Sequence, residues 1–122
     1  KWVLCDRFSA SSVAFQGGGR GISKEQVEWL NHFSTNDLIP DLTVLLDLSV
    51  EESKKRRSRR VNDTGSEDDR IESEKDDFHE RVRLAYLERA HAHPSRVKVI
   101  DANQSIDNIR KQLEQIISSN CL

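Results

Sequence analysis

Three short apolar runs and three spaced apolar stripes organise the chain. Residues 2–5 (Trp-Val-Leu-Cys), 42–48 (Leu-Thr-Val-Leu-Leu-Asp-Leu) and 97–100 (Val-Lys-Val-Ile) have the length and content of strands. The second is nearly continuous in apolar residues, as in a strand buried on both faces of a parallel sheet. Between these runs the period lengthens to that of helices. Ser23 with Gln26 forms a capping box, opening a helix to about Phe33 with Val27, Trp29, Leu30 and Phe33 as the expected inward positions. Asn36, Asp37 and Pro40 break the chain before the next strand. Ser49 with Glu52 is a second capping box, opening a strongly basic helix. Residues 62–66 read as an interruption, followed by an amphipathic helix over about 69–92 that carries Phe78, Val82, Ala85, Tyr86 and Arg89 at helical spacing. Pro94 stops it. A last helix from near Ser105 places Ile106, Ile109, Leu113, Ile116 and Ile117 on one face.

Strands alternating with helices predict an α/β fold with a parallel sheet. The 122 residues suffice for one domain, with 35% hydrophobic and 33% charged residues. No apolar run approaches the roughly 20 residues of a membrane span. The formal net charge of −2 gives no global preference for nucleic acid or membrane, but charge is segregated. Residues 54–60 hold six basic side chains in seven, and an acid-rich stretch follows. Such a run is a solvated face or a nucleic-acid patch. The acids that follow would repel phosphate, and no aromatic interleaves the run as a single-strand platform requires. Cys5 and Cys121 lack metal-ligand and redox spacing, so two free thiols in a reducing compartment are expected. His32, His79, His91 and His93 show no zinc-ligand spacing either, and no metal site is expected within this chain.

Asp6-Arg7 falls where the first expected strand ends, and ligands of open α/β sheets bind at such ends. An arginine there presents a planar fork of donors suited to phosphate. Small residues and a glycine turn, Gly17-Gly18-Gly19-Arg20-Gly21, follow. That turn could form an anion-binding nest, but it is no GxxxxGK[ST] loop, and no such loop occurs in the chain. On residues 6 and 7 alone, a surface salt bridge is the commoner meaning of an acid beside a base.

The whole stretch Asp-Arg-Phe-Ser-Ala-Ser-Ser-Val-Ala-Phe-Gln-Gly-Gly-Gly-Arg-Gly, residues 6–21, closely resembles the thymidylate kinase signature. Five corroborating segments follow in the family's order: PDLTVLLDLS, the basic helix, DRIE, FHERVRLAYLERA and VIDA. The resemblance implies a P-loop kinase-like three-layer α/β/α fold with a parallel sheet, truncated at the N-terminus. Residues 1–122 would be the C-terminal part of a single such domain. It implies transfer of a phosphoryl group from ATP to dTMP, giving dTDP, with Mg²⁺ held mainly outside this chain.

The resemblance also distributes roles. Asp6 and Arg7 belong to the dTMP site, with Arg7 on the phosphate. Ser11 or Ser12 lies near the thymine edge, and Gln16 lines the same pocket. Phe15 packs against the deoxyribose where the family usually has Tyr, so the ring is kept and its hydroxyl is not. Residues 54–69 correspond to a lid over ATP, in which Arg56 and Arg60 neutralise the transferred phosphate and Arg70 closes the lid. Asp101 and Ala102 lie beside the adenine. A homodimer, a cytoplasmic location and no nucleic-acid or membrane partner complete the expectation. The alternatives are another nucleoside monophosphate kinase and a non-enzymatic nucleic-acid module using residues 54–60. Without the strand that would carry a P-loop, the chain alone is expected to fold poorly and to be inactive.

Overall fold

Two of the three apolar runs pair with each other. In the computed structural model, which describes residues 1–65 and 74–121, the elements run α1 (Ser9–Ser12), a π-helix (Val13–Gly19), α2 (Lys24–Thr35), β1 (Thr43–Asp47), α3 (Val50–Thr64), α4 (Asp76–Ala92), β2 (Val97–Asp101) and α5 (Ile106–Cys121). β1 and β2 lie parallel, in register from Thr43 opposite Val97 to Asp47 opposite Asp101. The Thr43 N–H donates to the Arg96 carbonyl and the Ala102 N–H to the Asp47 carbonyl, both at 2.8 Å, extending the ladder at each end. The α/β class and the parallel sheet expected from the alternating pattern are therefore present.

The run at residues 2–5 is not a strand. Strand geometry persists only where the backbone N–H and C=O groups find a ladder, and these residues have no strand partner among the described residues. Trp2, Val3 and Leu4 are consequently 68%, 86% and 99% exposed, and Cys5, expected to be buried, is exposed with a free thiol. β1 also departs from the two-faced burial its composition suggests, since Leu46 is 55% exposed. A sheet two strands wide leaves one edge of β1 unpaired and its faces only partly covered.

Local chemistry explains most helix ends. Ser49 caps α3 by accepting the Glu52 N–H at 3.2 Å. Asn36 ends α2 in the left-handed region, where its short polar side chain is tolerated. α4 stops at Ala92, before Pro94. Ser23 behaves otherwise: its hydroxyl donates to Glu25 at 2.9 Å and accepts no helix N–H, so the box with Gln26 does not form. Of the expected inward face of α2 only Val27 is buried, while Trp29 and Phe33 stack on each other in the open and Leu30 is exposed. The expected break at 62–66 is displaced. α3 continues to Thr64, whose hydroxyl donates back to the Arg60 carbonyl at 2.6 Å, and Gly65 ends it at φ 67°. The described part of the next helix begins at Asp76 rather than near residue 69, residues 69–73 lying outside the described set. On α5, Ile109, Leu113, Ile116 and Ile117 are half-buried as the stripe predicts, whereas Ile106 is exposed.

The best-packed part of the molecule lies under the π-helix. Ala14, Phe78 and Val82 are buried together, with Phe15, Ala85 and Tyr86 against them. Gly18 and Gly19 make this contact possible. A Cβ on Gly19 would fall 2.6 Å from a Phe78 ring carbon, and one on Gly18 would fall 2.7 Å from the Ala85 Cβ. The glycines thus serve close helix packing; only Gly21 of this group has positive φ, and residues 17–19 are helical rather than a nest.

Candidate functional site

The Asp6–Gly19 strip brings several of the expected residues together. Arg7 has φ 66°, a left-handed backbone for a long side chain, which costs on the order of 1–3 kcal/mol. Its guanidinium sits over the Phe15 ring, 5.1 Å from the centroid. No carboxylate among the described residues pairs with it, and the side chain is exposed, so the fork of donors faces outward. Asp6, beside it, is also exposed. Sequence suggested that Arg7 would stand on a rigid strand end. It stands instead on a strained loop, steadied by the aromatic beneath it.

One turn further on, Ser11 Oγ lies 2.6 Å from the Tyr86 hydroxyl. Ser12 is half-buried at the entry to the π-helix, a rare form that recurs at functional sites. Phe15 meets Phe78 and Tyr86 with ring centroids 6.2 and 6.3 Å apart. Gln16 is exposed, and its carbonyl accepts the Ile22 N–H at 2.9 Å. The strip is fastened to α4 by Arg81, which donates twice to the Gly19 carbonyl at 2.9 and 3.3 Å. Arg20 reaches Glu74 at 2.9 Å and lies over the Phe78 ring, a structural role.

A second group forms at the carboxyl ends of the strands. Arg56, expected to reach a phosphate, donates to Glu52 at 3.2 Å and to the Ala102 carbonyl at 3.1 Å. Two residues assigned to the ATP side, 46 positions apart, are thereby joined. Asp101 ends β2, and its carboxylate turns back to accept the Asn103 N–H at 2.8 Å. Arg60 lies on α3 one turn after Arg56, and its carbonyl accepts from Thr64. Arg70 falls outside the described residues, as does the end of the 54–69 stretch.

The principal residue missed from sequence is Arg83. Its Nε and a terminal nitrogen bind both oxygens of Asp47 at 2.8 and 3.1 Å, tying α4 to the tip of β1. The hydrogen bond to Asp47 raises the Arg83 pKa above its ordinary value, partly offset by burial. The only available signals were an Arg-x-Arg pair inside an amphipathic helix and a carboxylate at a strand end. Asp47 is thereby occupied, and among the described residues no three His, Cys, Asp or Glu groups converge on a metal position. The described side chains therefore do not build a Mg²⁺ cage. Lys54, Lys55 and Arg56 each face a carboxylate at 3.0 to 3.2 Å, which weakens a nucleic-acid reading of the basic run. No helix among the described residues is long and apolar enough to cross a membrane.

The sequence is similar to known proteins along nearly its whole length. The family model for thymidylate kinase matches residues 1–113. A thymidylate kinase of Bdellovibrio bacteriovorus is 53% identical over 117 residues, covering 96% of this chain and 55% of its own length. Those of Latilactobacillus sakei and Nitrosospira multiformis are 45% and 42% identical over 119 residues each, covering 97% and 98% of this chain. The chain spans about half the length of these relatives, 54% and 56% for the last two.

Proposed function

This chain belongs to the thymidylate kinase family, and we propose from that premise that the intact protein transfers the γ-phosphoryl group of ATP to dTMP. An oxygen of the dTMP phosphate attacks the γ-phosphorus, ADP leaves, and dTDP results. Such a transfer brings two anions together, and catalysis is mostly positioning and charge neutralisation. The observation that carries this reading is Arg7: a guanidinium with no carboxylate partner among the described residues, on strained backbone, braced over Phe15. Its fork grips the monophosphate. Ser11, Ser12, Phe15 and Gln16 shape the nucleoside pocket, with Asp6 at its margin. Residues 54–69 act as the lid, in which Arg56 and Arg60 neutralise the transferred phosphate and Arg70 closes the lid, while Asp101 and Ala102 border the adenine. Magnesium would be held mainly by the ATP phosphates and by residues outside this chain. The intact protein is a homodimer, and two unpaired thiols suit a reducing, cytoplasmic setting.

A panel of dTMP, dUMP, CMP and AMP offered to the full-length protein with MgATP tests the assignment. The expected result is a clear preference for dTMP. Comparable turnover of the others would replace it with a monophosphate kinase of relaxed base choice.

The isolated chain is a different matter. Its fully buried apolar set is small, and Trp2, Val3, Leu4 and Leu46 face water. We expect no dTMP phosphorylation from residues 1–122 alone and a broad thermal transition by circular dichroism. A sharp cooperative melt would contradict that expectation.

A further inference from the structure

We propose that Tyr86 is a positioning residue for the nucleoside pocket, acting through Ser11. The inference deepens the dTMP reading and rests on it. Tyr86 lies on α4, 75 positions from Ser11, yet its hydroxyl is 2.6 Å from the Ser11 Oγ. Its ring meets Phe15 edge-on at 82° with centroids 6.3 Å apart. The phenol therefore touches two members of the strip at once, and both are residues assigned to the same pocket. A ring serving only to fill the core needs no hydroxyl: Phe78, three residues into the same helix, fills it without one. A half-buried phenol calls for a partner, and here it finds one in a side chain that is itself small enough to rotate.

The polarity of this hydrogen bond matters. Either hydroxyl can donate in this contact; we take Tyr86, the more acidic of the two, as the donor and Ser11 as the acceptor. Ser11 is then left with its own proton to donate. With one of its two lone pairs taken by Tyr86, the Ser11 hydroxyl is biased towards donating, which favours a base edge that presents a carbonyl oxygen, as thymine does, over one that presents an amino group, as cytosine does at the corresponding position. Without Tyr86 the Ser11 hydroxyl turns freely and serves either edge. The chemistry recognised is thus a pyrimidine with a carbonyl at the position where cytosine has its amine.

The test uses the full-length enzyme and its Tyr86→Phe and Ser11→Ala variants, assayed with dTMP and dCMP. In Tyr86→Phe, KM for dTMP is expected to rise about five- to tenfold, the effect of one net hydrogen bond, with kcat within about threefold, the range left when uniform binding is lost. The dTMP-to-dCMP ratio of kcat/KM should fall by a similar factor. Ser11→Ala, which removes the donor itself, should lower the ratio at least as far, and the double variant should be no worse than Ser11→Ala alone, because Tyr86 acts through Ser11. A purely structural Tyr86 would instead lower the melting temperature and depress both substrates alike. That outcome, or an unchanged KM and ratio, overturns the proposal. Failure of the wild type to use dTMP at all would be recognised separately, as failure of the functional reading beneath it.

Discussion

Replacing Arg7 by Ala in the full-length protein is expected to lower kcat/KM for dTMP by roughly 10²–10³-fold, the loss seen when one preorganised donor to developing charge is removed. Nothing else among the described residues near this point offers a comparable cation: Arg20 is held by Glu74 and the Phe78 ring, and Arg81 by Gly19 and Asp77. Arg7→Lys keeps the charge without the fork and should fall in between. Unfolding could mimic such a loss, and Arg7→Gly separates the two. Glycine relieves the left-handed backbone at φ 66°, a gain of about 1–2 kcal/mol, while losing the contact over Phe15, about 0.5–1 kcal/mol. Stability should therefore be unchanged or rise by up to about 1.5 kcal/mol, while activity collapses. Steady-state kinetics alongside urea unfolding check both halves. An Arg7→Gly enzyme within threefold of wild type would remove Arg7 from the site.

Gly19→Ala is the substitution with the largest expected effect on stability. The added methyl would lie 2.6 and 3.0 Å from two Phe78 ring carbons and 2.9 Å from a Val82 methyl. Phe78 and Val82 are among the most buried side chains in the molecule and have little room to yield. Overpacking of this kind costs about 1–3 kcal/mol, and a value near 2 is expected from denaturant unfolding of the full-length protein. Gly17→Ala is the control, because its nearest neighbour would be the Ile22 carbonyl at 3.7 Å, an ordinary contact. It should be neutral or slightly stabilising, since alanine suits a helix better than glycine. Equal effects at the two positions would mean that close packing is not the reason for the glycines.

Much of this architecture was legible in the order of residues, and the exceptions share a physical origin. β1 and β2 were readable because their apolar runs are bounded by breakers, and α4 ended where Pro94 and its neighbours required. The run at Trp2–Val3–Leu4 carried the same signal yet makes no strand, because a strand is completed by a neighbour rather than by its own composition. The period of α2 announced one apolar face, but only Val27 found something to pack against. The π-helix was invisible to any helical period. Its widened turn is sustained by two glycines pressed onto α4 and by Arg81 on its last carbonyl, contacts made across about 60 positions. Separation along the chain also hid the Asp47–Arg83 pair, 36 positions apart, and the Ser11–Tyr86 hydrogen bond, 75 positions apart. Arg7 lies on Phe15 and Arg56 binds Ala102, two contacts that the resemblance did not state.

Arg81 on Gly19, Tyr86 on Ser11 and the two bare glycines rivet the strip between Ser9 and Gly19 to α4 at three levels. Asn31 of α2 adds a fourth attachment through the Ser9 carbonyl at 3.1 Å. These pieces must travel as one body. Residues 20–22 belong to that body as well, since Arg20 is held by Glu74 and the Ile22 N–H by the Gln16 carbonyl, which leaves the short joint at residues 6–8, where Arg7 sits, as its free hinge.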